Sequence, residues 1–169
     1  MRLGAAGIRR KARNTTGDPV QIRSRPGRSL HMSLADVRWI ESELTHDDRG
    51  SLSALEESAL PFPIKRIFYM HRVPQGHERG GHAHRGTQQW VIAIAGRFTI
   101  DVSDGDRMAT YVLDDPNRGL YLPAMTWVRL YGFDDNTVAL VLCDAKYDPS
   151  GVIRSWDHYC RLQRETVDG

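Results

Sequence analysis

The stretch Arg79-Gly80-Gly81-His82-Ala83-His84-Arg85, continued by Gly86-Thr87-Gln88-Gln89-Trp90-Val91-Ile92-Ala93-Ile94-Ala95-Gly96, decides how this chain of 169 residues is read. Side chains alternate across a strand, so in extended backbone His82 and His84 share one face and Ala83 takes the other. The run that follows is apolar, rich in β-formers and closed by glycine, which reads as a second strand. Two imidazoles on one face of a rigid sheet serve either as two metal ligands or as an acid–base pair. Gly80 and Gly81 permit close approach of a ligand to the backbone. The flanking arginines supply groups that bind anions.

Outward from this centre the texture stays the same. Short β-branched and aromatic runs at 37–40, 52–55, 64–73, 81–84, 88–95, 97–102, 109–113, 119–122, 127–131 and 138–143 are separated by turn clusters such as Ser103-Asp104-Gly105-Asp106 and Asp114-Asp115-Pro116-Asn117. Many short strands at near-regular spacing, without a long amphipathic helix before the end, predict an all-β antiparallel sandwich or barrel. One helical segment is expected over 147–164, packing Ile153, Trp156 and Tyr159 on the body. We read residues 31–169 as a single domain.

Residues 1–30 differ in kind. They hold eight Lys or Arg against the single acid Asp18, a net of +7, while the other 139 residues carry 15 basic and 20 acidic groups, a net of −5. With several Gly and Pro breaks and no sustained period, this stretch reads as a basic, disordered N-terminal extension. It has no aromatics to stack on bases, so a nucleic-acid partner is not expected. No apolar run approaches the ~20 residues that cross a bilayer, so no membrane partner is expected either. Arg-rich residues 1–11 lack the apolar core of a secretory signal. Cys143 and Cys160 have no Cys-x-x-Cys spacing, and reduced thiols in a cytoplasm are the plain reading.

The spacing Gly76, five residues, His82-Ala83-His84, four residues, Gln89, six residues, Gly96 resembles the first cupin motif, with Gln89 where that pattern has Glu. At the second motif this chain has Pro123, Met125, Val128 and Gly132, so the His and Asn of the pattern are missing. A catalytic divalent ion normally needs at least three protein ligands. Two histidines and a neutral amide fall short, so no metal and no other cofactor is expected.

A closer resemblance spans about 37–159. The segments Asp48-Arg49-Gly50-Ser51-Leu52, Pro61-Phe62-Pro63-Ile64-Lys65-Arg66-Ile67-Phe68-Tyr69, Arg79-Gly80-Gly81-His82-Ala83-His84, Gly119-Leu120-Tyr121-Leu122-Pro123 and Met125-Thr126-Trp127 occur in that order, with Tyr147-Asp148 and Ile153-Arg154 at the end. Together they look like the dTDP-sugar 3,4-ketoisomerases, the WxcM-like group of non-metal cupins. The resemblance implies a cupin jelly roll with a short C-terminal helical segment, usually a homodimer. It implies conversion of dTDP-4-keto-6-deoxyglucose to a 3-keto-6-deoxyhexose in deoxyamino-sugar biosynthesis. By position, His82 and His84 match the family's catalytic pair, and histidine suits the work because its reference pKa of ~6.5 keeps both protonation states within reach.

A sugar nucleotide also brings a diphosphate, for which guanidinium groups are apt. Arg49, Arg79 and Arg129 are the candidates, with Arg85 behind them. Gln89 is expected to point inward and bond a sugar hydroxyl. Tyr121 and Trp127 are candidates for packing on thymine or the hexose, with plain barrel core as the competing role. His71 and His77 are expected to be solvent-exposed. A metal-dependent cupin enzyme and a non-catalytic sugar-nucleotide-binding cupin remain as alternatives, with a 3,5-epimerase acting on the same substrate ranked lower.

Overall fold

The computed structural model describes residues 33–165, so the expected basic extension at 1–30 lies outside the described residues. The described residues run through twelve strands and one α-helix. The strands are β1 (Arg38–Glu41), β2 (Glu43–Asp47), β3 (Gly50–Ala54), β4 (Arg66–His71), β5 (Arg79–His84), β6 (Gln89–Ala95), β7 (Phe98–Ser103), β8 (Met108–Leu113), β9 (Arg118–Leu122), β10 (Trp127–Tyr131), β11 (Val138–Cys143) and β12 (Val152–Ile153). The helix α1 is Trp156–Glu165. Two five-stranded antiparallel sheets form, in the orders β1-β9-β6-β11-β4 and β12-β5-β10-β7-β8, while β2 and β3 make a separate ribbon. This is the expected all-β jelly roll.

Alternation explains the layers. On the first sheet Val91, Ala93, Leu120, Leu122, Ala139 and Val141 point inward, and on the second Ile100, Val102, Val128 and Leu130 meet them in one core. Burying each of the valine, leucine and isoleucine side chains among them contributes about 1.5–3 kcal/mol. The residues between these positions face outward on both sheets. Trp90, Ile92, Tyr121 and Leu142 are covered by Leu60 and Phe62 from the segment that precedes β4. Ala83, Trp127 and Ile153 on the second sheet are covered by Tyr159 and Leu162 of α1.

Three expectations change. The helix expected over 147–164 begins only at Trp156, because Pro149 and Gly151 sit in a 3-10 turn capped by the Asp148 carboxylate, and Val152–Ile153 then pair with β5. Ile153 and Tyr159 are buried as expected, but Trp156 is 42% exposed, its ring edge-on to Trp127 of the second sheet and beside Tyr159 of its own helix. Strand β2 has no counterpart in the sequence reading, since four of its five residues are exposed and leave no apolar alternation to detect.

Candidate active site

Strand β5 carries the two histidines, and its local path is set by the glycine pair. Gly80 and Gly81 have φ of +86° and +66°, and the β5–β10 register shifts there, from Val128↔His82 to Arg129↔Gly80 and Leu130↔Arg79. This is a bulge that only glycine accommodates without strain. A Cβ on Gly80 would lie 2.6 Å from the Val128 carbonyl oxygen. The close approach expected at these glycines is therefore made by the neighbouring strand's own backbone.

Beyond the bulge the imidazoles of His82 and His84 point into the space between the sheets. His82 is directly opposite Val128, which is 5% exposed and lines the core. Valine thus occupies the place that faces His82, and the pattern's second-motif histidine has no equivalent there. The two rings stand edge to face with centroids 4.9 Å apart, and Nε2 of one lies 3.2 Å from Nε2 of the other. One nitrogen must donate and the other accept, so the pair shares a single proton along that line. Nδ1 of His82 is buried and has no hydrogen-bond partner among the described residues.

Electrostatics separate the pair. Burial first, then the positive charges of His82, Arg66 and Arg154, push the His84 pKa down from 6.5 to about 4. His84 is therefore a free base at neutral pH, desolvated and ready to accept a proton.

The opposing sheet supplies Gln89, which is 8% exposed, faces inward beside Val91, and donates from Nε2 to the Cys143 Sγ at 3.6 Å. Burial raises the Cys143 thiol pKa, so the sulfur is held as a neutral thiol. Among the described residues no three His, Cys, Asp or Glu side chains gather closely enough to hold a metal ion.

The remaining sequence candidates are dispersed. Arg79 is exposed at the start of β5, but the bulge pairs it with buried Leu130 and so turns it to the same side as the histidines. Arg129 points away from them, bonded to the Asp101 carboxylate at 2.9 Å, with Glu78 at 3.7 Å. Arg49 lies at the turn of the β2–β3 ribbon, 86% exposed and paired with Asp47. Trp127 is on the helix side of the second sheet against Trp156 and Tyr159. Tyr121 is on the outer side of the first sheet, its hydroxyl bonded to Gln88 at 2.5 Å and its ring stacked on Phe62. His71 and His77 are exposed, and Arg85 contacts His158 at 3.2 Å.

Sequence reasoning did not single out Arg66 for the site. It opens β4, and its cross-strand neighbour is Cys143, whose own neighbour is Gln89. Residues side by side on adjacent strands share a face, so Arg66, Cys143 and Gln89 form one inward row. Its motif, Ile64-Lys65-Arg66-Ile67-Phe68, does alternate, but only the strand pairing shows what the row faces.

A two-sheet antiparallel barrel holding a pair of inward imidazoles places the chain among the cupin-like proteins. Residues 35–164 match the family model described as "WxcM-like, C-terminal" (FdtA), and the chain belongs to that family. It is 34% identical over 114 residues to the TDP-4-oxo-6-deoxy-alpha-D-glucose-3,4-oxoisomerase of Aneurinibacillus thermoaerophilus, covering 67% of this chain and 82% of that one. Among solved structures it is similar to a 3,4-ketoisomerase from Helicobacter canadensis, with 32% identity, a TM-score of 0.74, and 76% of this chain and 98% of that chain covered. It is also similar to a mutant of the 3,4-ketoisomerase QdtA from Thermoanaerobacterium thermosaccharolyticum in complex with TDP-4-keto-6-deoxyglucose, with 30% identity, a TM-score of 0.76, and 79% and 97% coverage.

Proposed function

We propose that this protein is an isomerase of TDP-linked sugars, a 3,4-ketoisomerase that converts TDP-4-keto-6-deoxyglucose to a TDP-3-keto-6-deoxyhexose. The observation that carries the reading is the His82–His84 contact at 3.2 Å, with His84 kept unprotonated down to about pH 4. The relatives named for this activity support the substrate class.

The chemistry needs a base, a proton carrier and donors for oxygen charge. His84 takes the proton from C3. The C3–H electron pair becomes the C3–C4 double bond, and the carbonyl pair moves onto the C4 oxygen as an enediolate. His82, within hydrogen-bond reach of His84, returns a proton at oxygen and takes the C3 hydroxyl proton. The C3 carbonyl then forms as C4 accepts a proton, so the product is an isomer and no atom is gained or lost. Gln89 faces the pair from the other sheet and offers its amide to a sugar hydroxyl, while Arg79 is the sequence candidate cation on the histidine side.

We also read the protein as a homodimer in the cytoplasm. Ile67 and Tyr69 on β4 and Ile94 on β6 are 59%, 63% and 47% exposed on the outer face of the first sheet, an apolar surface suited to a second copy. Cys143 and Cys160 are free thiols. No helix among the described residues is long and apolar enough to cross a membrane.

The deciding experiment is incubation with TDP-4-keto-6-deoxyglucose in D2O, followed by NMR, with and without EDTA. A 3-keto product formed equally in both is expected. No turnover, or turnover abolished by the chelator, overturns the reading.

A further inference from the structure

We propose that Arg66 is the group that stabilises the enediolate oxyanion in the histidine site, bonding the sugar oxygen on which charge develops. This rests on the ketoisomerase reading and adds a residue to it. The argument is one of placement and of what the guanidinium lacks.

Arg66 heads the inward row Arg66–Cys143–Gln89 on the first sheet, across the interior from the strand that carries the histidines. Its guanidinium carbon sits 4.5 Å from the centre of the Phe68 ring and 4.9 Å from that of Tyr147. Aromatic faces attract and orient a guanidinium while leaving its N–H edges unused. Other arginines of this chain are occupied by carboxylates: Arg107 by Asp104, Arg129 by Asp101, Arg49 by Asp47 and Arg97 by Asp134. Arg66 has no hydrogen-bond or ion-pair partner among the described residues, although it is partly buried. A partly buried, always-charged fork with five free donors is suited to an anionic oxygen.

The charge also reaches the reacting base. The groups that act on His84 are His82 on its own strand, Arg66 from β4, and exposed Arg154 directly after β12, and all of them disfavour its protonation. Across the strand pairs, Val152 faces His84 and Val128 faces His82, and neither is charged. The same positive charge that keeps His84 a free base stabilises the negative oxygen formed when His84 takes its proton. Substrate and transition state differ by that charge, so the contact is strongest where it accelerates the reaction.

The test compares Arg66→Gln and Arg66→Lys with the wild type in kcat, KM and TDP affinity on TDP-4-keto-6-deoxyglucose, with a kcat/KM profile from pH 4 to 8. Arg66→Gln is expected to lower kcat about a hundredfold or more, the scale of losing one oxyanion donor. TDP affinity should stay within about threefold of wild type. Arg66→Lys should regain about tenfold of the loss, and if Arg66→Gln does not fold, the kcat deficit of folded Arg66→Lys relative to wild type carries the test. The acid limb of kcat/KM should move upward in Arg66→Gln, an effect a merely structural role would not produce. Unchanged kcat overturns the proposal, as does a loss confined to KM and TDP affinity, which would make Arg66 a diphosphate anchor. Absence of turnover in the wild type instead overturns the ketoisomerase reading itself, so the two failures are told apart.

Discussion

The two faces of strand β5 are built from adjacent residues and have opposite characters. On the helix side, Ala83 is fully buried, and Tyr159 above it places its hydroxyl 2.8 Å from the carbonyls of both Ser103 and Met125 and accepts from Gln163 Nε2 at 2.9 Å. Each polar atom in that cluster is matched, and burial raises the Tyr159 pKa so that the hydroxyl remains a donor. On the interior side, His82 has an unpartnered buried Nδ1 and His84 is desolvated without a carboxylate. The first face resembles any satisfied core. The second leaves polar groups under-satisfied, as a site does when substrate is to complete it. Stability and chemistry are thus separated by one residue of alternation.

The largest effect that tests this separation is on the interior side. His84→Asn should lower kcat by about a thousandfold or more, the scope of general-base catalysis plus the lost pair, while the melting temperature stays within a few degrees; calorimetry alongside steady-state rates checks both. Unfolding of that variant would show that the two faces are not independent. At the bulge that joins them, Gly80→Ala should destabilise by about 2 kcal/mol or more, since it combines a positive φ with a clash on the Val128 carbonyl. Urea titration reads that loss.

On the helix side, Tyr159→Phe should cost about 1–3 kcal/mol of stability, because the hydroxyl shared by the Ser103 and Met125 carbonyls is lost and Gln163 Nε2 remains as the side-chain donor to Met125 alone. Its kcat at a temperature where it is folded should stay near wild type. A large fall in kcat without a fall in stability would break the comparison.

A smaller, pH-dependent effect sharpens it. The free-enzyme kcat/KM should hold as pH falls below 6.5 and drop only near the His84 pKa of about 4. Because the folded pKa is depressed, the unfolded chain binds more protons across that window, so stability from this group is lost as pH falls from about 6.5 to about 4. Both trends follow from rate measurements and thermal melts in the same buffers.

How much of this was legible beforehand follows the same physics. The His82–Ala83–His84 alternation and the apolar run after it identify strands without any pairing information, and the strands at 127–131 and 138–143 coincide with β10 and β11. Strand β2 was hidden because a ribbon exposed on both faces has no buried stripe. The glycine pair was legible as unusual, but its cause is the passage of β10 against Gly80, a tertiary fact. Trp127 and Tyr121 carry a chemistry that suits both core and ligand. Only knowing that Val128 sits opposite His82, and that Leu120 and Leu122 line the interior, puts these two aromatics on the far sides of their sheets. Arg66 was missed for the same reason, as its row-mates Cys143 and Gln89 come from distant parts of the chain.

Met125 sits at φ +63°, an uncommon posture for a residue with a side chain. Its N–H donates to the His84 carbonyl at 2.7 Å, and its own carbonyl receives the Tyr159 hydroxyl at 2.8 Å and Gln163 Nε2 at 3.1 Å. The backbone of His84 is thereby moored, through the single residue Met125, to α1. Anything that peels that helix from the barrel also slackens the mooring of His84, so a change in the C-terminal helix is transmitted to the histidine pair through the backbone at Met125.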